Sequence, residues 1–245
     1  MIRIGIGGWN FAPWRGVFYP DDLPQRRELE YASRALTSIE INATYYGSQK
    51  PASFRKWHDQ TPDDFIFALK GPRYATNRRV LAEAGDSVQR FLTSGITELG
   101  TRLGPLNWQL PETKRFDAED FGAFLSLLPD SHDGIPLRHA IEARHDSFAD
   151  DKAAALCRDR NIALVRAGDS KFPDIDARTA DFAYLRLMGT TDIPSGYSDA
   201  DLDRWAATAR AIAQDRDLYL YVISGEKRRN PAAAMALIDR LKDAG

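Results

Sequence analysis

Short bursts of strict apolar–polar alternation recur along this chain, separated by longer segments with helical periodicity. In Ser38-Ile39-Glu40-Ile41-Asn42 one parity carries Ile39 and Ile41, the other Glu40 and Asn42. Phe65, Phe67 and Leu69 share one face of the next burst, and Lys70 ends the opposite face. Ala140-Ile141-Glu142-Ala143-Arg144 places Glu142 and Arg144 together, and Phe182–Met188 places Arg186 with Tyr184. Successive side chains on a strand point to opposite faces, so each burst turns its apolar parity toward covering helices. The charged parity then points the other way, at the C-terminal end of each strand. Four strands with this property predict a functional mouth.

The alternation predicts strands over 2–7, 36–42, 65–70, 104–110, 138–144, 162–167, 182–188 and 218–223. Helical patterns fill 26–35, 87–100, 117–128, 150–161, 198–215 and 231–242. Gly100 reads as a C-cap, Ser198 with Asp201 as a helix start, and Pro231 as a first helical residue. Eight β-then-α units predict the α/β class and a TIM-like (β/α)8 barrel, with residues 1–245 as a single domain. An open doubly wound sheet would need central strands apolar on both faces. These strands are not.

Composition narrows the setting. The 245 residues carry 43% hydrophobic and 28% charged side chains, ordinary for a globular domain with a sizeable core. A formal net charge of −2 provides no global field for nucleic acid or membrane. The single cysteine, Cys157, excludes an internal disulfide framework and suits a reducing cytosol. No apolar run approaches a membrane span, and Met1-Ile2-Arg3-Ile4-Gly5-Ile6 reads as a first strand with no signal peptide before it. The expectation is a cytoplasmic protein without a membrane partner.

Several motifs carry a resemblance. Gly7-Gly8-Trp9 with Pro13-Trp14-Arg15-Gly16-Val17-Phe18-Tyr19-Pro20 is followed by Glu40-Ile41-Asn42-Ala43-Thr44-Tyr45-Tyr46 and Leu69-Lys70-Gly71-Pro72-Arg73. Then come Leu103-Gly104-Pro105-Leu106 through Gln109-Leu110-Pro111, Glu142-Ala143-Arg144-His145 and Tyr184-Leu185-Arg186-Leu187. In this order the motifs resemble the DUF72 (YecE-like, UPF0759) family over nearly the whole chain. The resemblance implies a TIM-like barrel and supplies no activity. Two departures stand out. Met188 replaces the His that the family usually shows two positions after Arg186. Ile223-Ser224-Gly225-Glu226 replaces a run of the Asp-Asn-Asp type, which puts any metal or hydroxyl ligation by that run in doubt here.

Glu142 and Glu40, on inward strand ends, are the candidate acid/base pair, because burial and neighbours can tune such carboxyls. The competing reading makes each one half of a structural ion pair, Glu142 with Arg144 or Lys70 for instance. A basic cluster of Arg15, Lys70, Arg73, Arg78, Arg79, Arg144, Arg186, Lys227, Arg228 and Arg229 falls on the same predicted face, while the compensating acids fall largely in helices. Positive charge gathered at one mouth would focus an anionic ligand there. Trp9 and Tyr45 are candidates to stack on it, whereas Trp14, Phe18 and Tyr19 read equally well as a plug or clasp. Asn42, Gln109 and His145 complete the substrate-binding candidates beside Lys70, Arg73, Arg144 and Arg186. No metal is assigned, since His145 is the one histidine expected at the mouth, and a set of Asp169, Glu142 and His145 is the remote exception. No cofactor motif is present. Taken together, these features predict a cytosolic barrel protein, an enzyme acting by acid/base chemistry on a phosphorylated sugar, nucleotide or nucleic-acid-like anion. The alternative is a non-catalytic binding module for single-stranded nucleic acid or another polyanion.

Overall fold

The computed structural model describes residues 1–242. The last three residues of the expected 1–245 domain lie outside the described residues. In chain order the elements are β1 (Ile2–Gly7), α1 (Glu28–Ala35), β2 (Ser38–Ile41), α2 (Ala43–Tyr46), α3 (Pro51–Asp59), β3 (Ile66–Lys70), α4 (Arg73–Thr76), α5 (Gly85–Leu92) and β4 (Leu103–Gln109). They continue with α6 (Ala118–Ser126), a hairpin of β5 (Ser131–His132) and β6 (Ile135–Pro136), β7 (His139–Glu142) and α7 (Asp151–Arg158). After these come β8 (Ala163–Leu164), β9 (Arg166–Gly168), β10 (Phe182–Leu187), α8 (Asp199–Ala213), β11 (Asp217–Val222) and α9 (Asn230–Lys242).

Nine strands form one sheet in the order β8-β7-β4-β3-β2-β1-β11-β10-β9, with every pairing parallel. The two ends of that order are consecutive pieces of chain. Only Val165 separates β8 from β9, and its N–H donates to the Ile141 carbonyl at 2.9 Å. The sixth barrel position is thus one interrupted strand that joins β7 to β10, and the sheet curls into the expected (β/α)8 barrel.

Alternation divides the apolar residues into two compartments. Ile39, Ile41, Phe67, Leu69, Trp108 and Ile141 pack outward under the helices. Inside the barrel lies a separate cluster that includes Ala68, Ala140, Val165, Phe182, Tyr184 and Tyr221. The interior is a packed core and not a pore, as such barrels require. Gly5 is obligatory here: a Cβ would lie 1.8 Å from the Ser38 carbonyl oxygen, so β1 and β2 can meet only with no side chain between them.

Helix starts follow their side chains. Asp117 accepts from the backbone N–H groups of Glu119 and Asp120, Asp150 from Lys152, and Ser198 from Asp201. Each cap of this kind contributes about 1 kcal/mol. The predicted helix over 87–100 is shorter: α5 ends at Leu92, Gly95 turns the chain at φ +99°, and Gly100 sits in a kink of a second, 3-10 segment, not at a C-cap. Pro231 follows Asn230, the first residue of α9. The short helices α2, α3 and α4 fall in stretches that the sequence reading left without an element.

Candidate active site

Glu40, Lys70, Asn107, Gln109, Glu142 and Arg186 occupy inward positions near the C-terminal ends of β2, β3, β4, β7 and β10. Barrel closure brings them into one layer. Arg186 lies at its centre. Its Nη1 donates to Glu142 Oε2 at 2.6 Å and its Nη2 to Glu40 Oε1 at 3.0 Å. Glu40 Oε2 also accepts from the Tyr184 hydroxyl at 2.5 Å, and Asn107 Nδ2 bridges Glu40 Oε2 (3.2 Å) and Glu142 Oε2 (3.3 Å). Gln109 Nε2 donates to Glu142 Oε2 at 2.8 Å, and Arg144 Nε to Glu142 Oε1 at 2.9 Å. Two polar atoms of this buried set, Arg186 Nε and Asn107 Oδ1, find no partner among the described residues.

Glu40 and Glu142 are fully buried and Arg186 is 2% exposed, so these charges can persist only because each neutralises the next. Burial alone would raise the Glu142 carboxyl. Arg186, then Arg144 and Lys70, outweigh it and hold the group at about 2. A carboxylate so held, with both oxygens engaged, neither donates nor takes up a proton near neutrality. The structure therefore gives Glu142 the character of the ion-pair reading, and Glu40 shares its saturated hydrogen bonding.

Lys70 differs from its neighbours. It is 8% exposed, yet its ammonium has no hydrogen bond or ion pair to a described residue. The carboxylates within its field are taken by Arg186 and Arg144. Burial lowers it first and the Arg186 charge second, against the pull of Glu40 and Glu142, and the amine stands at about 8. The single turn α2 presents Tyr45 to it, with Nζ 4.3 Å from the ring centroid. Thr44 on the same turn donates to the Lys70 carbonyl at 2.7 Å and fixes the end of β3. A largely desolvated amine beside a second cation is the form in which lysine serves as base or nucleophile.

The remaining candidates are placed as follows. Asn42 is half-buried beside Gly7, and Arg73 is exposed at the first position of α4 without an ion pair among the described residues. Arg144 stacks its guanidinium on Phe172, 4.2 Å from the ring centroid. His145 accepts from the Ser147 N–H through Nδ1 and so caps a 3-10 turn. Trp9 meets Trp57 edge-on at 5.3 Å and Phe67 at 6.3 Å, so its contacts belong to the layer outside the sheet and not to the Lys70 cluster. Trp14 is buried and donates to the Lys227 carbonyl, a clasp between the first and last loops. Asn107, Tyr184 and Phe172 contact the cluster and were left out of the site by the sequence reading. Asn107 alternates with Gln109 and Tyr184 with Arg186, so parity alone marks both; Phe172 sits in an irregular loop that carries no such signal.

The cationic mouth is smaller than the sequence suggested. Arg15 pairs with Glu28 at 2.8 Å, Arg228 and Arg229 with Asp192, and Arg144 and Arg186 with the buried glutamates. Lys70, Arg73, Arg78, Arg79 and Lys227 stay without a carboxylate among the described residues, Lys227 lying over the Phe11 ring at 4.2 Å. Asp169 turns to the Trp205 indole N–H (2.6 Å) and Arg204, away from Glu142 and His145. No group of three or more His, Cys, Asp or Glu side chains converges among the described residues.

Comparison with known proteins adds a family. The family model described as "Protein of unknown function DUF72" matches residues 3–245. The UPF0759 protein YecE of Escherichia coli strain K12 is 31% identical over 150 residues, 60% of this chain and 50% of that protein. The matched stretch thus spans half the length of that relative. The crystal structure of a DUF72 family protein from Thermotoga maritima superposes with a TM-score of 0.81 at 23% identity, covering 99% of both chains. A D-psicose 3-epimerase structure superposes at a TM-score of 0.57 and 12% identity, covering 99% of this chain and 98% of the epimerase, a likeness of barrel fold alone. Among the described residues no helix is long and apolar enough to cross a membrane.

Proposed function

The chain belongs to the DUF72 family, and on that premise we propose that it is an enzyme working at the C-terminal mouth of its barrel on a polar, anionic substrate. Lys70 is the group that moves the proton. The observation that carries this reading is its ammonium: nearly buried, without a carboxylate partner, and lowered to about 8. Interior charges without partners are strongly disfavoured, so a fold selected for stability alone would pair or replace this one. At pH 7 roughly a tenth of such an amine is neutral, and proton exchange is efficient when a group titrates near the working pH.

The surrounding residues have supporting tasks in this reading. Glu142 and Glu40 act as positioning residues: they hold Arg186, whose charge keeps the Lys70 amine low. Arg73, exposed and without a carboxylate among the described residues, draws in the anionic group, and Arg144, held between Glu142 and the Phe172 ring, lines its path. Tyr45 and Asn42 flank the substrate. The buried Cys157 thiol, pushed up to about 12 by burial, takes no part, and we assign the protein to the cytosol. The ion pairs that neutralise Arg15, Arg144, Arg186, Arg228 and Arg229 weaken the alternative of a broad nucleic-acid grip, which needs uncompensated charge.

The test is a thermal-shift screen of sugar phosphates, nucleotides and small carboxylic acids against the wild type and Lys70→Gln. A ligand that binds only the folded state raises its melting temperature. We expect at least one anion to stabilise the wild type and not the variant. Equal shifts in both proteins, or none in the wild type, reject Lys70 as the centre of the site.

A further inference from the structure

Beside the mouth, between the loop that follows β3 and the loop that follows β4, lies a cavity of about 510 Å³. Its wall includes Asn77, Arg78, Arg79, Thr113, Lys114 and Arg115, and no acidic residue. A volume of this order accommodates a nucleotide-sized molecule. We propose that this cavity holds the phosphoryl group of a phosphorylated ligand. The proposal rests on the reading of the mouth as the reaction centre only for where the remainder of that ligand lies.

The charge in the cavity is arranged, not incidental. Arg78 is half-buried; its Nε donates to the Tyr74 carbonyl (2.9 Å) and its Nη2 to Ser87 Oγ (2.8 Å). Both acceptors are neutral, so the guanidinium is held in place while its full charge and its Nη1 donors stay available. Lys114 works differently. Asp120 neutralises it at 2.6 Å, and it also donates to the Arg79 carbonyl at 2.7 Å, which ties the two loops together across the cavity. Arg79 and Arg115 are exposed and form no ion pair among the described residues. The one acid beside this wall in sequence, Glu112, pairs with Lys171 at 3.0 Å on another loop.

The result is three guanidiniums free of carboxylates, with the Asn77 amide and Thr113 hydroxyl between them. Guanidinium offers parallel N–H donors that match two oxygens of one phosphate, and three such groups suit a doubly charged phosphoryl better than a single carboxylate. Asp117, Glu119 and Asp120 border an adjoining depression that shares Arg79 and Lys114 with this cavity, yet among the described residues only Asp120 pairs with a wall residue, Lys114, and none pairs with the three guanidiniums. Both loops leave the C-terminal ends of their strands, so a ligand anchored here can extend toward Lys70.

Inorganic pyrophosphate is the probe, titrated calorimetrically into the full chain. The wild type should bind it. Arg79→Gln/Arg115→Gln, altered only at exposed positions, should weaken binding at least about tenfold, the cost of one lost charge-assisted hydrogen bond. Arg78→Lys, which keeps the charge but not the fork, should also weaken it. Lys242→Gln, altered at an exposed ion pair on α9 outside the cavity wall, should bind pyrophosphate like the wild type. No binding by the wild type, or equal binding by the arginine variants, overturns the proposal and leaves the Lys70 reading intact. Competition then separates the sources of the phosphate. Displacement by ribose 5-phosphate at all salt concentrations supports a small ester. Displacement by a single-stranded oligonucleotide that fades steeply with added salt supports a nucleic-acid backbone. Displacement by neither shows that the cavity does not serve phosphate esters.

Discussion

Replacing Glu142 by Gln removes one negative charge from the centre of the barrel without changing its volume. Arg186, 2% exposed, then retains only Glu40 as a carboxylate partner, and the amide has one acceptor oxygen for two sites: if it faces Arg186, Gln109 and Asn107, its NH2 meets the Arg144 donor instead. Breaking a buried pair on one side costs about 3–5 kcal/mol, because the stranded charge keeps its desolvation penalty. For a chain of this size each kcal/mol lowers the melting temperature by about 2–4 °C, so the variant should melt about 6–20 °C below the wild type. Urea unfolding gives the free energy directly. The control is Glu112→Gln, the same chemical change at the exposed pair with Lys171, where about 0–1 kcal/mol is expected. If Glu142→Gln costs less than about 1 kcal/mol, or no more than Glu112→Gln, the network does not hold the barrel mouth and the argument that pairs Glu142 with Arg186 fails.

Lys70→Met should act in the opposite sense. The folded amine, about 8, lies below its ordinary value of 10.5, so the unfolded chain binds the proton first and the native state loses stability as pH falls from about 10.5 toward 8. At pH 7 the substitution should therefore stabilise by about 1–3 kcal/mol and remove that pH dependence; a variant that melts lower than the wild type would contradict it. His139 supplies an acid limb. Its Nδ1 accepts from the Trp108 indole at 3.0 Å, its Nε2 donates to the Pro129 carbonyl at 2.9 Å, and burial lowers the ring from 6.5 to about 4. Stability should be complete above about pH 6.5 and fall by about 3 kcal/mol as pH approaches 4, read from urea midpoints; His139→Gln should flatten the curve between pH 6.5 and 4.5, and an unchanged slope would count against the buried neutral ring.

The barrel was legible because strand alternation is a local signal: inward Glu40, Lys70, Glu142 and Arg186 can each be read from neighbours within their own burst. The local pair of Glu142 with Arg144 was legible, but which charges meet across the barrel was not. That depends on the stagger between strands, which sets Arg186 of β10 level with Glu40 of β2 and Glu142 of β7, and no single strand encodes it. The same gap left Glu142 open between an acid/base residue and one half of an ion pair. Among the helices, α3 begins with Pro51 and places Phe54 and Trp57 three apart, a pattern that was available. The turns α2 and α4 have no capping side chain and are too short for a period to show.

The interruption at Val165 leaves a seam in an otherwise continuous cylinder. On one side only Ala163 and Leu164 meet β7, and on the other only Arg166, Ala167 and Gly168 meet β10, whereas β1, β10 and β11 run side by side for most of their lengths. Partial opening begins where the fewest ladder bonds must break together, so amides flanking this line should exchange with solvent before those of β1 and β11. The wall of the molecule that yields first would then be one bordering the Phe172 loop, which lets the loop be rearranged without unzipping the strands that carry Glu40 and Lys70.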